Sequence, residues 1–298
     1  MMNTECSKRK RWKSGNVSVH IDEKEARRIL SIGILERLQN EQSRGKMQTK
    51  KRSIRATSAR NDDVHEESNL EHNYLKLKSR AIPGKLVKTI STMGDGHKRA
   101  VQEIEFGHIL NLNVHLVHAH MAYWVLDNFD AQSCEIKLSS GRSIAVDADD
   151  VHYVFGFPKG GETIHTRRRS DVFDEEDKWY KQFDCTKGRV LLSRVREKMM
   201  EDVDRGDVFK KNFLVLLTST LIENGVNGYV SPHLMYYMDK LDSIPNLDWC
   251  EYVVRSLIEH NIIWARNKTN YFGGPILFLT VWFFTLTFRL IYIFCNNL

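Results

Sequence analysis

The chain has 298 residues, of which 42% are apolar and 28% are charged, and its formal net charge is +6. This length fits one large domain or two modest ones, and the apolar fraction is sufficient for a sizeable core. The five cysteines are widely spaced and include no C-x-x-C pair, which excludes a disulfide framework or a zinc ribbon and favours a reducing compartment, the nucleus or the cytosol.

Residues 1–72 form a basic N-terminal arm. Residues 1–60 contain 16 Lys and Arg against 6 Asp and Glu, a net charge of +10, so the rest of the chain carries −4. The polar composition predicts a largely disordered arm without a secretory signal, with one amphipathic helix from Asp22 to Asn40.

Two cationic clusters in the arm are candidates for nuclear import or nucleic-acid binding. Clustered cations release counterions from a phosphate backbone and also suit import receptors. The candidates are Lys8, Arg9, Lys10, Arg11, Lys13, Lys50, Lys51 and Arg52.

The body is predicted to extend over residues 74–275 and to begin with a long helix. Apolar residues recur every three or four positions from Ile109 to Leu126, which predicts a helix that ends near Asn128. A small β-hairpin follows, with strands 134–138 and 143–147 joined by a turn at Gly141.

A short helix is predicted after the hairpin. Asp147 or Asp149 caps its start, Gly156 ends it in a left-handed conformation, and Pro158 prevents its continuation. The loop through Gly160 and Gly161 lacks the G-x-x-x-x-G-K-[ST] spacing of a phosphate loop, so a structural role is favoured.

Further helices are predicted over about 186–203, 207–223 and 247–261, and another starts at Ser231-Pro232. The fold class is therefore mainly α: a multi-helix globular body with one small β-hairpin, a disordered basic arm and an apolar C-terminal helix.

Residues 276–295 form that apolar segment. Sixteen of its 20 residues are apolar, and a helix of 20 residues is long enough to span a bilayer. Arg289, however, opposes insertion. Two interpretations stay open: a transmembrane segment that makes the chain tail-anchored, or a buried core helix.

Histidines and cysteines are the remaining candidates for chemistry. His108, His115 and His118 would share a face of the predicted helix, but neither an HExxH motif nor a cysteine at ligand spacing accompanies them. Cys134, Cys185 and Cys250 are better explained as buried small side chains than as nucleophiles. We therefore predict no catalytic residue, no metal and no cofactor.

The body contains a series of short motifs. They are Glu105-Phe106-Gly107, Trp124, Asn128-Phe129-Asp130, Asp149-Asp150-Val151, Phe155-Gly156-Phe157-Pro158, Gly160-Gly161, Asp248-Trp249-Cys250 and Gly273-Gly274-Pro275. Through these residues, over roughly 80–282, the chain resembles the aminotransferase-like plant mobile domain of plant transposon-derived proteins. Many of those proteins also carry a C-terminal cysteine protease domain of the SUMO-protease type.

This resemblance implies a helical domain of plant mobile-element origin, with structural roles for its motif residues: Trp124, Asp150, Val151, Gly156, Pro158, Gly160, Trp249, Gly274 and Pro275. The sequence contains no protease domain, so no catalytic residue is carried over. In such proteins polar sequence follows the Gly-Pro motif, whereas in this chain apolar residues follow it. This difference is typical of a truncated or mispredicted chain end.

The sequence therefore predicts a non-enzymatic module that associates with a protein or with nucleic acid through the basic arm and resides in the nucleus. Two alternatives stand beside it. One is a tail-anchored membrane protein that uses residues 276–295, and the other is a truncated, inactive member of a protease-bearing family.

Overall fold

The computed structural model describes residues 75–165, 178–183, 189–230, 233–238 and 241–296. The basic arm and its eight candidate cations, the helix predicted at 22–40, Cys185 and the helix start at 231–232 lie outside these residues. The predictions about them stay predictions.

The described body is mainly helical, as predicted. Its α-helices, in chain order, are α1 (Pro83–Ser91), α2 (Asp95–Glu103), α3 (Ala119–Asp127), α4 (Ala148–Phe155), α5 (Leu192–Glu201), α6 (Asp207–Leu221), α7 (Trp249–Arg266) and α8 (Ile276–Asn296). Short 3₁₀ helices span Gly107–Asn111, Val226–Gly228, His233–Met238 and Leu241–Asn246.

The predicted long helix from Ile109 to Asn128 is wrong in its first half. A 3₁₀ helix ends at Asn111, and the chain then runs without helix to His118, so α3 begins only at Ala119. The Gly84 amide donates to the His115 carbonyl at 3.1 Å, and the Leu77 amide donates to the Ala119 carbonyl at 3.0 Å. The bond to His115 engages a carbonyl that the predicted helix would have used, and tertiary contacts of this kind override the apolar periodicity.

The predicted hairpin is part of a three-stranded antiparallel sheet in the order β1-β2-β3. Its strands are β1 (Phe129–Asp130), β2 (Glu135–Lys137) and β3 (Ser143–Ala145). Ile136 pairs with Phe129 on one side and with Ile144 on the other. The first strand has only two residues, which is too short for an alternating pattern to reveal it.

The later helices differ from prediction chiefly at their ends. Helix α6 starts at the predicted Asp207, whereas α5 is shorter than the predicted 186–203 and α7 continues beyond 261 to Arg266. Helices α5 and α6 pack together, and α7 packs on α4.

Helix α8 is a central element of the core. It packs against α3, α4 and α6, and its side chains from Ile276 to Leu279, together with Phe283, are almost completely buried. The segment predicted as an apolar helix is thus helical, and its first half is covered by protein. The transmembrane alternative for 276–295 finds no support, because no helix among the described residues is long and apolar enough to cross a membrane.

Candidate anion-binding cleft

The predicted cap of α4 is confirmed and is formed by Asp147. Its carboxylate accepts the amides of Asp149 at 2.8 Å and Asp150 at 3.1 Å, while the Asp150 carboxylate accepts the Asp147 amide at 3.0 Å. This reciprocal capping box satisfies amides that would otherwise lack partners at the helix start. Gly156 ends the helix at φ 64°, and a Cβ there would lie 2.4 Å from His108 Cβ.

Asp150 is a perturbed acid within this cap. Burial raises its pKa to about 6, while the Asp147 amide and the Trp282 indole, both of which donate to it, act in the opposite direction. Since Trp282 belongs to α8 and is 5% exposed, Asp150 connects the start of α4 to the central helix.

Asp150 makes a pH dependence of stability predictable. The folded protein holds the Asp150 proton more tightly than the unfolded chain, in which the pKa of this carboxyl is near 3.8. The stabilising contribution of the protonated carboxyl is therefore complete below pH 4 and is lost as pH rises through 6. The loss amounts to at most about 3 kcal/mol.

We expect Asp150→Asn to remove this component of the pH dependence, as measured by urea unfolding between pH 4 and 7. Asp149→Asn is the matched control, because the Asp149 side chain is largely exposed and pairs with Lys159. An Asp150→Asn profile that parallels the wild-type profile would contradict the assignment.

Trp249 and Pro158, two further motif residues, have packing or hydrogen-bonding roles. Trp249 is 1% exposed, donates its indole N–H to the Ile244 carbonyl at 2.9 Å, and packs edge-on against Phe106. The Pro158 carbonyl accepts the amide of Cys250 at 3.3 Å, which joins the loop after α4 to the start of α7.

Trp124 and Gly274 meet the same central region. The Trp124 ring lies 5.3 Å from the Phe283 ring of α8. A Cβ at Gly274 would lie 2.7 Å from His260 and from Phe272, and Pro275 leads directly into α8. Val151 is fully buried, whereas Gly160 has φ 81° in an open loop. Most motif residues thus cap or pack the elements around α8 and α7.

The candidate histidines do not share a helix face. His108 lies in a 3₁₀ helix, His115 in the stretch without helix, and His118 is the N-cap of α3. Within the described ranges, no group of three or more His, Cys, Asp or Glu residues could hold a metal ion.

Cys134 and Cys250 are buried. The Cys134 thiol donates to the Val146 carbonyl at 3.1 Å, and the Cys250 thiol donates to the Phe157 carbonyl at 3.3 Å. Burial raises the pKa of Cys250 to about 12, and the Asp248 carboxylate acts in the same direction. A thiol of this kind is a poor nucleophile at neutral pH.

The strongest candidate site is a cleft of about 510 Å³ that sequence analysis did not predict. We call it the basic cleft. It is lined by Ser79, Arg80, Ile82, Lys85, Leu192, Ser219, Thr220, Gly225, Val226, Asn227, Gly228, Tyr229 and Tyr271. Three parts of the chain that are far apart in sequence therefore form it, together with the first residue of α5.

Local backbone contacts position the walls of the basic cleft. The Phe272 amide donates to the Lys78 carbonyl at 2.7 Å, and the Arg80 amide donates to the Phe272 carbonyl at 3.1 Å. Asn224 donates through its backbone amide to the Gly273 carbonyl at 2.7 Å. These bonds hold the residue 79–80 wall and Tyr271 beside the loop that follows α6.

Charge in the basic cleft is of one sign. Arg80 and Lys85 are its cations, no described lining residue is acidic, and neither cation forms an ion pair within the part of the chain that the structure describes. The Arg80 guanidinium lies 5.9 Å from the centre of the Tyr271 ring. This geometry suits a cation–π contact and orients Arg80 at the rim.

Ser219 is a buried polar residue in the lining of the cleft. Its side chain is 7% exposed, and its hydroxyl has no hydrogen-bond partner among the described residues. A buried hydroxyl without a partner is unfavourable by about 1–3 kcal/mol, so a ligand oxygen there would relieve a cost already present.

One sequence signal could have indicated the cleft. Residues 75–94 contain five cations and no acid, although the chain beyond residue 60 is acidic overall. The cations are Lys76, Lys78, Arg80, Lys85 and Lys88. Only Arg80 and Lys85 line the cleft, and their convergence with Ser219 and Tyr271 has no local signal, because those residues lie more than 100 positions away.

Residues 79–280 match a family described as a domain of unknown function (DUF8566). No curated protein and no solved structure matches the chain.

Proposed function

Since the chain belongs to the DUF8566 family of domains of unknown function, we propose its role from its own surface: a non-enzymatic module that associates with nucleic acid. The observation that carries this proposal is the acid-free cationic segment 75–94, of which Arg80 and Lys85 line the basic cleft. A phosphate backbone binds such a surface because its neutralisation releases counterions.

The start of this segment presents its cations in a strand-like pattern. Lys76 and Lys78 are exposed on either side of buried Leu77, and Ser79 pairs with Phe272. Alternate residues on an extended backbone lie roughly 6.6 Å apart on one face. Successive phosphates of one strand can therefore meet successive cations.

The basic arm supplies further cations to the proposed interface. Its last cation, Arg60, lies 20 positions before Arg80, a distance of at most about 70 Å along an extended chain. The proposed interface combines the +10 charge of residues 1–60 with the cleft wall, and we expect backbone contacts rather than sequence-specific reading of bases.

We expect Lys76→Glu/Lys78→Glu to weaken binding of a labelled single-stranded oligonucleotide about tenfold, because two phosphate contacts are lost. The measurement is fluorescence anisotropy across a salt series, in which the variant should also show a shallower salt dependence. Lys137→Glu/Lys198→Glu is the control, since it makes the same change in net charge on β2 and α5.

Equal losses in the two double variants would show that only net charge matters. Absence of oligonucleotide binding by the full chain would refute the proposal and favour a protein partner instead.

The arm would also direct the protein to the nucleus. As a fluorescent fusion, the chain with all eight candidate cations changed to alanine should lose nuclear accumulation; an unchanged nuclear signal would contradict import through the arm. The eight positions are Lys8, Arg9, Lys10, Arg11, Lys13, Lys50, Lys51 and Arg52.

The proposed lineage is plant mobile-element origin. It is supported by the motif order and by the defined structural roles of Asp150, Gly156 and Trp249 in capping and packing. The structure of a plant mobile domain would test it: the matching aspartate should cap a short helix, and a different fold there would refute the kinship.

A further inference from the structure

We infer that the basic cleft binds one nucleotide of the associated strand, with its phosphate at Arg80, Lys85 and Ser219 and its base on Tyr271. This inference rests on the proposed function and names the ligand class of the same site. A volume of about 510 Å³ lies within the range of small-ligand pockets and suits a single nucleotide.

The phosphate end is defined by charge and by the unpartnered hydroxyl. Arg80 is half-buried and Lys85 is exposed, so one cation is held at the wall and the other is free to reach. The buried Ser219 hydroxyl can donate to a phosphate oxygen, which gives it the partner that it lacks in the described protein.

One helix start lies at the cleft. Leu192, the first residue of α5, lines the cleft, and the N-cap residue Leu191 provides no side-chain hydrogen bond. A helix N-terminus carries partial positive charge and favours anions, so it adds to the charge of Arg80 and Lys85.

The base end is defined by aromatic rings. Tyr271 is 57% exposed, with the Arg80 guanidinium over its ring, and half-buried Tyr229 lines the cleft from the loop after α6. Bases stack on such rings irrespective of their identity. Exposed Ile82 and Val226 add apolar edge to the rim.

The loop opposite Tyr271 has a fixed shape. A Cβ at Gly225 would lie 1.6 Å from the Tyr229 carbonyl oxygen, and the Tyr229 amide donates to the Val226 carbonyl at 3.1 Å. Tyr229 is thereby placed by its own turn. A nucleotide suits this combination of rings and cations better than a phosphorylated peptide, which has no general need for stacking.

The test is calorimetric titration of the full chain with adenosine monophosphate, adenosine and inorganic phosphate. We expect adenosine monophosphate to bind about tenfold more tightly than either part. Tyr271→Ala should remove most of this advantage over phosphate, whereas Tyr271→Phe should retain it.

Ser219→Ala should weaken adenosine monophosphate and phosphate alike and leave adenosine unchanged. Ser133→Ala is the matched control, because its hydroxyl is also buried without a partner but does not line the cleft. Equal affinity for phosphate and adenosine monophosphate, equal binding of a phosphoserine peptide, or no effect of Tyr271→Ala would overturn the inference.

Failure of this inference is distinguishable from failure of the proposed function. If the oligonucleotide binds through Lys76 and Lys78 but adenosine monophosphate does not bind, the association surface stands without the nucleotide pocket. If adenosine monophosphate binds through Tyr271 and the oligonucleotide does not bind, the cleft binds a free nucleotide. The proposed association with nucleic acid and this inference are then both wrong.

Discussion

Replacing Gly161 by alanine is expected to lower the free energy of unfolding by about 4 kcal/mol or more, through combined backbone strain and steric overlap. Gly161 has φ 95°, a conformation that side chains strongly disfavour, and a Cβ there would lie 1.9 Å from the Asn246 carbonyl oxygen. No rotation of a side chain can relieve a contact with backbone, so the loop itself must move.

Movement of that loop would break contacts on both sides. The Glu162 amide donates to the same Asn246 carbonyl at 2.8 Å, and the Asp248 amide donates to the Glu162 carbonyl at 2.9 Å. Asp248 in turn caps α7 by accepting the Glu251 amide at 2.9 Å. The substitution therefore disturbs the start of α7 as well as its own turn.

The neighbouring glycine provides the matched control. Gly160 also has a positive φ, 81°, but nothing lies within 4 Å of its added Cβ. Gly160→Ala should therefore show the backbone term alone, about 1–2 kcal/mol. Urea unfolding followed by circular dichroism measures both variants, and similar losses at the two positions would contradict the role assigned to Asn246.

Elements that are set by neighbouring residues could be predicted from the sequence. Asp147, Asp150 and Gly156 lie within ten positions, and the short helix between them was predicted with its cap and its stop. The physical reason is that capping and left-handed termination depend on side chains and amides a few residues apart.

Elements that depend on distant partners could not be predicted. The periodicity from Ile109 onward is real, yet His115 bonds to Gly84 and the chain before Ala119 forms no α-helix. The basic cleft shows the same limit, since Arg80, Ser219 and Tyr271 meet only through the fold. Arg80 and Lys85 belong to a cationic run that is visible in the sequence, whereas nothing in the sequence marks Ser219 and Tyr271 as their neighbours.

Hydropathy alone left residues 276–295 with two interpretations because it records how apolar a segment is and not what surrounds it. The structure supplies the surroundings: Asp150 accepts from Trp282, and Trp124 packs on Phe283. Asp150 and Trp124 thus share one physical role, which is to hold α8 inside the body.

Replacing Phe283 by alanine should test that role with a large effect. Phe283 is 0% exposed, and removal of a fully buried ring is unfavourable by about 3–5 kcal/mol, because apolar contact is lost and a cavity remains. The adjacent Phe284 is 47% exposed on the same helix, so Phe284→Ala should cost less than about 1 kcal/mol.

Urea unfolding followed by tryptophan fluorescence suits this pair, since the Trp124 ring lies 5.3 Å from Phe283 and reports on that contact. If 276–295 functioned apart from the body, as a membrane span would, neither substitution should change the free energy of unfolding of the body. A large loss at Phe283 with a small one at Phe284 instead requires one face of α8 to be covered by α3 and α4. The motif residues on those helices are then constrained by the apolar segment that follows them.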